Sequence, residues 1–301
     1  MITPPLLRRG DRVAVVAPAG KVRKDVLDVA VRKLERWDLK VLVGENVMSK
    51  SHSYLAGSDE ERLEDLQEAL DSRRIKAIFC ARGGYGTTRI LNQVDFAKFR
   101  KYPKWVVGFS DITALHLRLS GLGYETIHAS MPSQFADAAA QPSLESLHQM
   151  LFKGPADIIA SPHKGNVEGK VTGEVIGGNL SIIMDSMGTP IEPETKKKIL
   201  IIEEIEEFKY KLDRMLTQLK RTGKLDKLGG LVIGYMTNIK DSNTPFGEAV
   251  NDIIRRQVEE FGYPVAYNFP IGHEHPNMAW RHGSKMTLTV TAEQVKLEPS
   301  T

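Results

Sequence analysis

The sequence predicts an α/β fold, a parallel sheet flanked by helices, and three features of its first half carry that expectation. Short apolar runs recur along the chain, amphipathic stretches of helical length separate them, and glycine or proline closes several of the runs. Strands covered on both faces read as continuous apolar runs, and parallel strands need a crossover helix to bring the chain back.

Taken in order, residues 13–17 (VAVVA) form the first strand candidate, which stops at Pro18 and Gly20. Leu27, Ala30, Val31 and Leu34 then share one helical face, and 41–43 is the next short run. Leu63, Leu66 and Leu70 form a second helical stripe among acidic residues. Residues 77–80, 106–109 and 126–127 are further strand candidates, with Ile112, Leu115 and Leu119 at helical spacing between the last two. From about 134 the composition shifts to Ala, Pro, Ser, Gly and His, with one short helix around 144–151. The expected organisation is therefore an N-terminal α/β domain at 1–135, a connection at 136–169 and a C-terminal domain at 170–301. In that last part 171–176, 199–202, 231–233, 265–267 and 286–290 look like strands. Leu212, Met215, Leu216 and Leu219 mark one helix, and 246–261 contains another.

Composition excludes several classes. With 301 residues, 41% apolar and 26% charged, the chain is an ordinary globular protein rather than a disordered one. A net charge of +3 predicts neither a nucleic-acid partner nor an acidic membrane surface. The single cysteine, Cys80, excludes an internal disulfide and a Cys-based zinc site. No apolar run approaches the ~20 residues of a membrane span, and the start MITPPLLRRGDRV lacks the pattern of a secretory leader. A cytoplasmic protein is expected.

Four segments carry chemistry. At 108–111 the sequence Gly-Phe-Ser-Asp places Ser110 on a strand-to-helix turn, with the Asp111 amide at a helix start where backbone donors are free. That suits an acyl-transfer nucleophile, although Ser and Asp also serve as plain helix caps. The fifth residue is Ile112, so this is not the G-x-S-x-G elbow. At 82–86 the run Arg-Gly-Gly-Tyr-Gly follows a strand, and its amides suit a carboxylate, a phosphate or an oxyanion. It matches neither a P-loop nor G-x-G-x-x-G, and an ordinary turn is the competing reading. At 199–207 (ILIIEEIEE) carboxylates follow an apolar strand. Glu203, where the strand emerges, is the candidate acid, the other three read as solvated, and Tyr210, Asp213 and Arg214 are candidates to orient it. At 271–277 (IGHEHPN), His273 is a general-base candidate, and with His275 it could ligate a metal, though the spacing is not H-E-x-x-H. His128 could line a pocket. A serine, an acid and a histidine can form a relay in any chain order.

Six ordered blocks then resemble one family across nearly the whole chain: VAVVAPAG, ARGGYGTTRIL, VVGFSDITALH, GEVIGGNLSII, IIEEIEEFKYKLDRMLTQL and NFPIGHEHPNMAWRHGSKMTLTV. The chain resembles the LD-carboxypeptidases of the S66 serine peptidase class (murein tetrapeptide carboxypeptidases), which also holds the microcin C immunity peptidases. The resemblance implies a parallel α/β N-terminal domain, a smaller β-rich C-terminal domain and an active site between them. It implies Ser110 as nucleophile, Glu203 as acid and His273 as base, with the amides of Gly84 and Asp111 as oxyanion donors. It also implies a homodimer, no cofactor and no metal. The family often has Glu-Asp where this chain has Glu203-Glu204, and His-Gly-Pro-Met where it has His128-Ala129-Ser130-Met131. The expected substrate is a muropeptide, whose terminal D-alanine is released, with Arg82 as a candidate for its free carboxylate. Two alternatives are a peptidase for aminoacyl-nucleotides, for which Trp280 could stack an adenine, and a non-catalytic muropeptide-binding module.

Overall fold

The structure is a computed structural model describing residues 1–300, and the chain divides into two compact units. The first takes Met1–Gly154 and Met278–His282, and the second takes Pro155–Asn277 and the chain from Gly283 onward. The expected connection at 136–169 is thus shared out: α-helical residues before Gly154 belong to the first unit, and the strand after it to the second. A short return of the chain, 278–282, completes the first unit.

In chain order the first unit contains β1 (Arg12–Val16), α1 (Lys24–Arg36), β2 (Lys40–Val43), α2 (Asp59–Asp71), β3 (Ile75–Cys80), α3 (Thr87–Leu91), α4 (Ala97–Lys101), β4 (Trp105–Gly108), α5 (Thr113–Gly121), β5 (Thr126–His128) and α6 (Gln141–Phe152). The second contains β6 (Ile158–Ala160), β7 (Gly169–Asn179), α7 (Leu180–Asp185), β8 (Ile199–Ile205), α8 (Lys209–Arg221), β9 (Gly230–Thr237), α9 (Val250–Val258) and β10 (Val265–Ala266). Strand β11 (Trp280–His282) returns to the first unit, and β12 (Lys285–Val290) and β13 (Val295–Pro299) complete the second.

The first sheet runs β11-β5-β4-β3-β1-β2, with every pair parallel except β11 against β5. Val13, Val15, Ala77, Phe79, Trp105 and Val107 pack with Leu27, Ala30 and Leu34 of α1 and with α6 into one core. Each Val, Leu or Phe side chain among them contributes about 1.5–3 kcal/mol by leaving water. Helix α2 departs from its expected stripe. Leu63 is only half-buried, whereas Arg62 and Asp65 are buried beside Leu66, Ala69 and Leu70. Ser58 caps α2, accepting from the Glu61 amide while Glu61 accepts from the Ser58 amide at 2.7 Å.

The second sheet is mixed. Strands β10-β9-β8-β7 are parallel, and β7-β12-β13-β6 continue as antiparallel neighbours. Helices α8 and α9 cover the parallel part through Leu212, Leu216, Leu219, Ile253 and Ile254. Strands β6, β11 and β13 were not legible as such. The first two have only three residues, too few for a period to register.

Candidate active site

In the first unit, β4 ends at Gly108 and Phe109 is still extended, with φ −156°. Ser110 then turns to φ +61°, the left-handed region that costs an L-residue roughly 1–2 kcal/mol. A 3₁₀ turn over Ser110–Ile112 leads directly into α5. Gly108 makes the reversal possible, because a Cβ there would lie 2.9 Å from two carbons of Ile112. Underneath, His116 Nε2 donates to the Gly108 carbonyl at 2.9 Å. Burial pushes that imidazole down to about 4, so it stays neutral.

The glycine loop after β3 packs against this turn. A Cβ on Gly83 would sit 2.9 Å from Ser110 Cβ, 3.0 Å from its Oγ and 3.4 Å from the Asp111 amide nitrogen. Gly83, rather than Gly84, is therefore the residue against which Ser110 packs. The Gly83 carbonyl accepts from the Gly20 amide at 2.9 Å. The peptide bond is planar and trans, so the Gly84 N–H on the same plane points the opposite way, away from Gly20. Gly84 itself has φ +100° and Gly86 φ +138°, conformations that glycine supplies without strain.

Two buried side chains hold these loops. Asp111 Oδ2 accepts from the Thr87 amide at 2.9 Å, tying the serine turn to the end of the glycine loop. Arg62 donates through Nη1 to the carbonyls of Pro18 and Gly86, and through Nη2 to Asp59. Asp59 in turn accepts from Arg89 at 2.8 Å. Sequence spacing missed both anchors, since each lies among residues that read as surface helix or cap. Arg82 is exposed, and its Nη1 donates to the Lys21 carbonyl at 2.9 Å.

In the second unit, Glu203 emerges fully buried near the end of β8. The Glu203 carboxylate Oε2 lies 2.6 Å from His273 Nδ1. A neutral imidazole in that contact carries its proton on Nδ1 and donates it, which leaves Nε2 as the basic nitrogen. Gly272 permits the approach. It has φ +123°, and a Cβ there would lie 3.0 Å from Glu203 Cβ and 3.1 Å from Oε2. Its amide donates to Asn277 Oδ1 at 3.0 Å, which fixes the turn. Burial alone would lower the His273 pKa, but the charge and hydrogen bond of Glu203, with smaller help from Glu204 and Glu206, outweigh it and leave the pKa raised.

The neighbouring acids behave differently. Glu204 is also buried rather than solvated, because alternation along β8 turns it to the opposite side. It accepts from Asn179 Nδ2 at 3.0 Å, from the Ser181 amide at 2.8 Å, from Ser181 Oγ at 2.6 Å and from the Ile205 amide at 2.9 Å. Those bonds saturate it as an anchor for the start of α7. Burial raises its pKa. Glu206 is exposed, and Glu207 is half-buried and pairs with Lys211 at 3.3 Å. The residues of α8 do not orient Glu203: Tyr210 is exposed, Asp213 is engaged by Arg256 and Gln257, and Arg214 lies over the Tyr210 ring.

Two other expectations move. His128 is fully buried, stacked on Trp280 with centroids 5.1 Å apart and tilted against Phe109, so it packs in the interior rather than at an open surface. Trp280 is likewise fully buried, between His128 and His282, so it presents no face to an adenine. Among the described residues no group of three or more His, Cys, Asp or Glu side chains is arranged to hold a metal ion.

Comparison with known proteins assigns both halves of the chain to one family. Residues 13–129 match the LD-carboxypeptidase N-terminal domain and residues 172–288 its C-terminal domain. A Bacillus subtilis protein named "Probable murein peptide carboxypeptidase" is 36% identical over 98% of this chain and 94% of its own length. A murein tetrapeptide carboxypeptidase of Pseudomonas aeruginosa is 31% identical over 92% of each. Among solved structures, a muramoyltetrapeptide carboxypeptidase of Oxalobacter formigenes superposes with a TM-score of 0.85 at 29% identity, covering 96% of this chain and all of that one. An MccF-like protein of Bacillus anthracis shares the fold at TM-score 0.87 and 24% identity, with full coverage of both chains. The chain belongs to the S66 peptidase family, the LD-carboxypeptidases.

Proposed function

We propose that the chain is a serine LD-carboxypeptidase that releases the terminal D-alanine from peptidoglycan-derived tetrapeptides. The observation that carries this reading is the buried contact of Glu203 with His273, an oriented base whose acid partner has no other evident task. The left-handed Ser110 turn, with Gly83 packed on it, supports the nucleophile. The names of the relatives support the substrate class.

In this mechanism Ser110 Oγ attacks the carbonyl between the third residue, an L-centre, and D-alanine. His273 Nε2 takes the serine proton and delivers it to the departing amine. Glu203 holds the ring and stabilises the imidazolium without itself taking the proton. The Gly84 and Asp111 amides bind the oxyanion, where one such donor can contribute about 3–4 kcal/mol. Water, activated by the same histidine, then hydrolyses the acyl-enzyme. Arg82 is assigned to the free carboxylate of the substrate on chemical grounds alone. A cytoplasmic location and a homodimer belong to the same proposal and rest on the family resemblance. No helix among the described residues is long and apolar enough to cross a membrane.

The test is D-alanine release from a diaminopimelate-containing tetrapeptide by the wild type and by Ser110→Ala. Loss of a relay nucleophile can cost on the order of a millionfold in turnover, so only the wild type should release D-alanine. Equal release by both proteins would reject the serine mechanism. Release by neither, followed by cleavage of an aminoacyl-nucleotide, would assign the immunity-type activity instead.

A further inference from the structure

Away from the serine turn, the first unit carries a cavity of about 470 Å³ lined by Lys33, Arg36 and Trp37 of α1 and its C-terminal end, by one face of α6, and by Lys153. That size falls within the range of about 300–1,000 Å³ of small-molecule sites. Its charge is one-sided. Lys33, Arg36 and Lys153 form no ion pair among the described residues, and the one lining carboxylate, Glu145, accepts from Gln141 Nε2 at 3.0 Å. His148 adds no negative charge, and burial together with Lys153 lowers its pKa, so it is neutral at pH 7. Unpaired cations around a concave surface are a ready site for an anion, and Arg can meet phosphate with two parallel bonds.

The wall narrows the class of anion. Trp37 is partly buried, with His148 edge-on at 5.1 Å and Phe135 behind it at 6.1 Å, and His148 stacks in turn on Phe152 at 4.6 Å. The indole is thus braced from within the unit, stays partly exposed, and lines the same cavity as the cations. A bare phosphate would leave most of the cavity and the whole indole unused, whereas a ring joined to a short chain of phosphates engages both. We propose that this cavity binds a nucleoside phosphate, with the base against Trp37 and the phosphates on Arg36, Lys33 and Lys153. The site uses no residue of the peptidase relay, and the proposal is independent of the carboxypeptidase reading.

The molecule contains its own reporter. Trp105 and Trp280 are fully buried, so Trp37 is the only solvent-accessible tryptophan of the three. Titration of the full chain with ADP should quench tryptophan fluorescence saturably, equally in the wild type and in Ser110→Ala, and calorimetry should give the same dissociation constant. Added salt should weaken binding. The double variant Arg36→Ala, Lys153→Ala should raise the dissociation constant at least about tenfold, since loss of even one charged hydrogen bond costs about 1.4 kcal/mol or more. D-alanine release by that variant should be unchanged. Absence of both quenching and heat would overturn the proposal. So would ADP binding that survives the charge variant undiminished, or citrate or inorganic phosphate binding as tightly as ADP.

Discussion

At the scale of single residues, adjacent glutamates on one strand have separate tasks. Glu203 faces His273, while Glu204 is consumed by three donors around the start of α7 and by the amide of its neighbour Ile205. Glu203→Gln should therefore lower kcat severely with little change in KM, whereas the exposed Glu206→Gln should leave both near wild type. Steady-state kinetics of the two variants check this, and equal losses would mean that the acid has been misassigned. The raised His273 pKa has a sign that can be followed. In the proposed mechanism turnover needs the neutral ring, so kcat/KM should fall as pH drops through a value above the ordinary histidine range of about 6.5. In Glu203→Gln the raising charge is gone and burial remains, so that limb should move to lower pH. Stability runs the other way. A folded pKa above the unfolded one stabilises the native state fully below about pH 6.5, and the gain disappears as pH rises through the folded value. The pair thus contributes most to stability at the pH where the base is blocked, and a pH–rate profile beside a pH–stability profile would display the opposition.

At the scale of elements, the serine turn functions as part of a set of three loops after β1, β3 and β4. Gly83 is the tightest point of that set. It does not need positive φ, so alanine is compatible with its backbone, but the added Cβ would fall 2.9–3.0 Å from the Ser110 side chain. Gly83→Ala should displace Ser110, the proposed nucleophile, by a fraction of an ångström to an ångström, enough to cost roughly a hundredfold in kcat, while the fold survives. Turnover measured beside thermal melting tests this, and full activity in a folded variant would remove the glycine loop from the mechanism. The same elements show what was legible in the sequence. The apolar runs of β1, β3, β4 and β8 declared themselves by composition, and Ser110, Glu203 and His273 stood out because each follows an apolar run or a loop glycine. Arg62 and Asp65 did not, because a helix reads as amphipathic from its leucines, whereas the buried stripe of α2 is set by carbonyls and amides that approach from other loops. Polar burial is decided by tertiary partners, and periodicity contains no information about those. For the same reason Glu204 read as a solvated acid: three of its donors come from Asn179 at the end of β7 and Ser181 in α7, more than twenty residues upstream, and the fourth from its own neighbour Ile205.

At the scale of the whole molecule, the chain does not pass once from one unit to the next. It leaves the first unit after Gly154, returns for Met278–His282, and leaves again. The returning segment is small but consequential. As β11 it closes the β5 edge of the first sheet, with Trp280 paired to His128, Arg281 to Ile127 and His282 to Thr126. Trp280 is fully buried, and Arg281 lies over the Trp105 ring at 4.8 Å. On one side the segment joins the turn that carries His273, and on the other it joins β12, so the stability of the first unit depends on residues strung between elements of the second. Such threading couples the two units through the backbone itself. Truncating Trp280 should therefore destabilise more than a local edge. Trp280→Ala removes a buried aromatic at a cost of about 3–5 kcal/mol, and calorimetry should show one cooperative transition moved to lower temperature. Two separated transitions, with the second unit melting at its wild-type temperature, would show that the return strand is only an ornament on the sheet edge and that the units are stable independently.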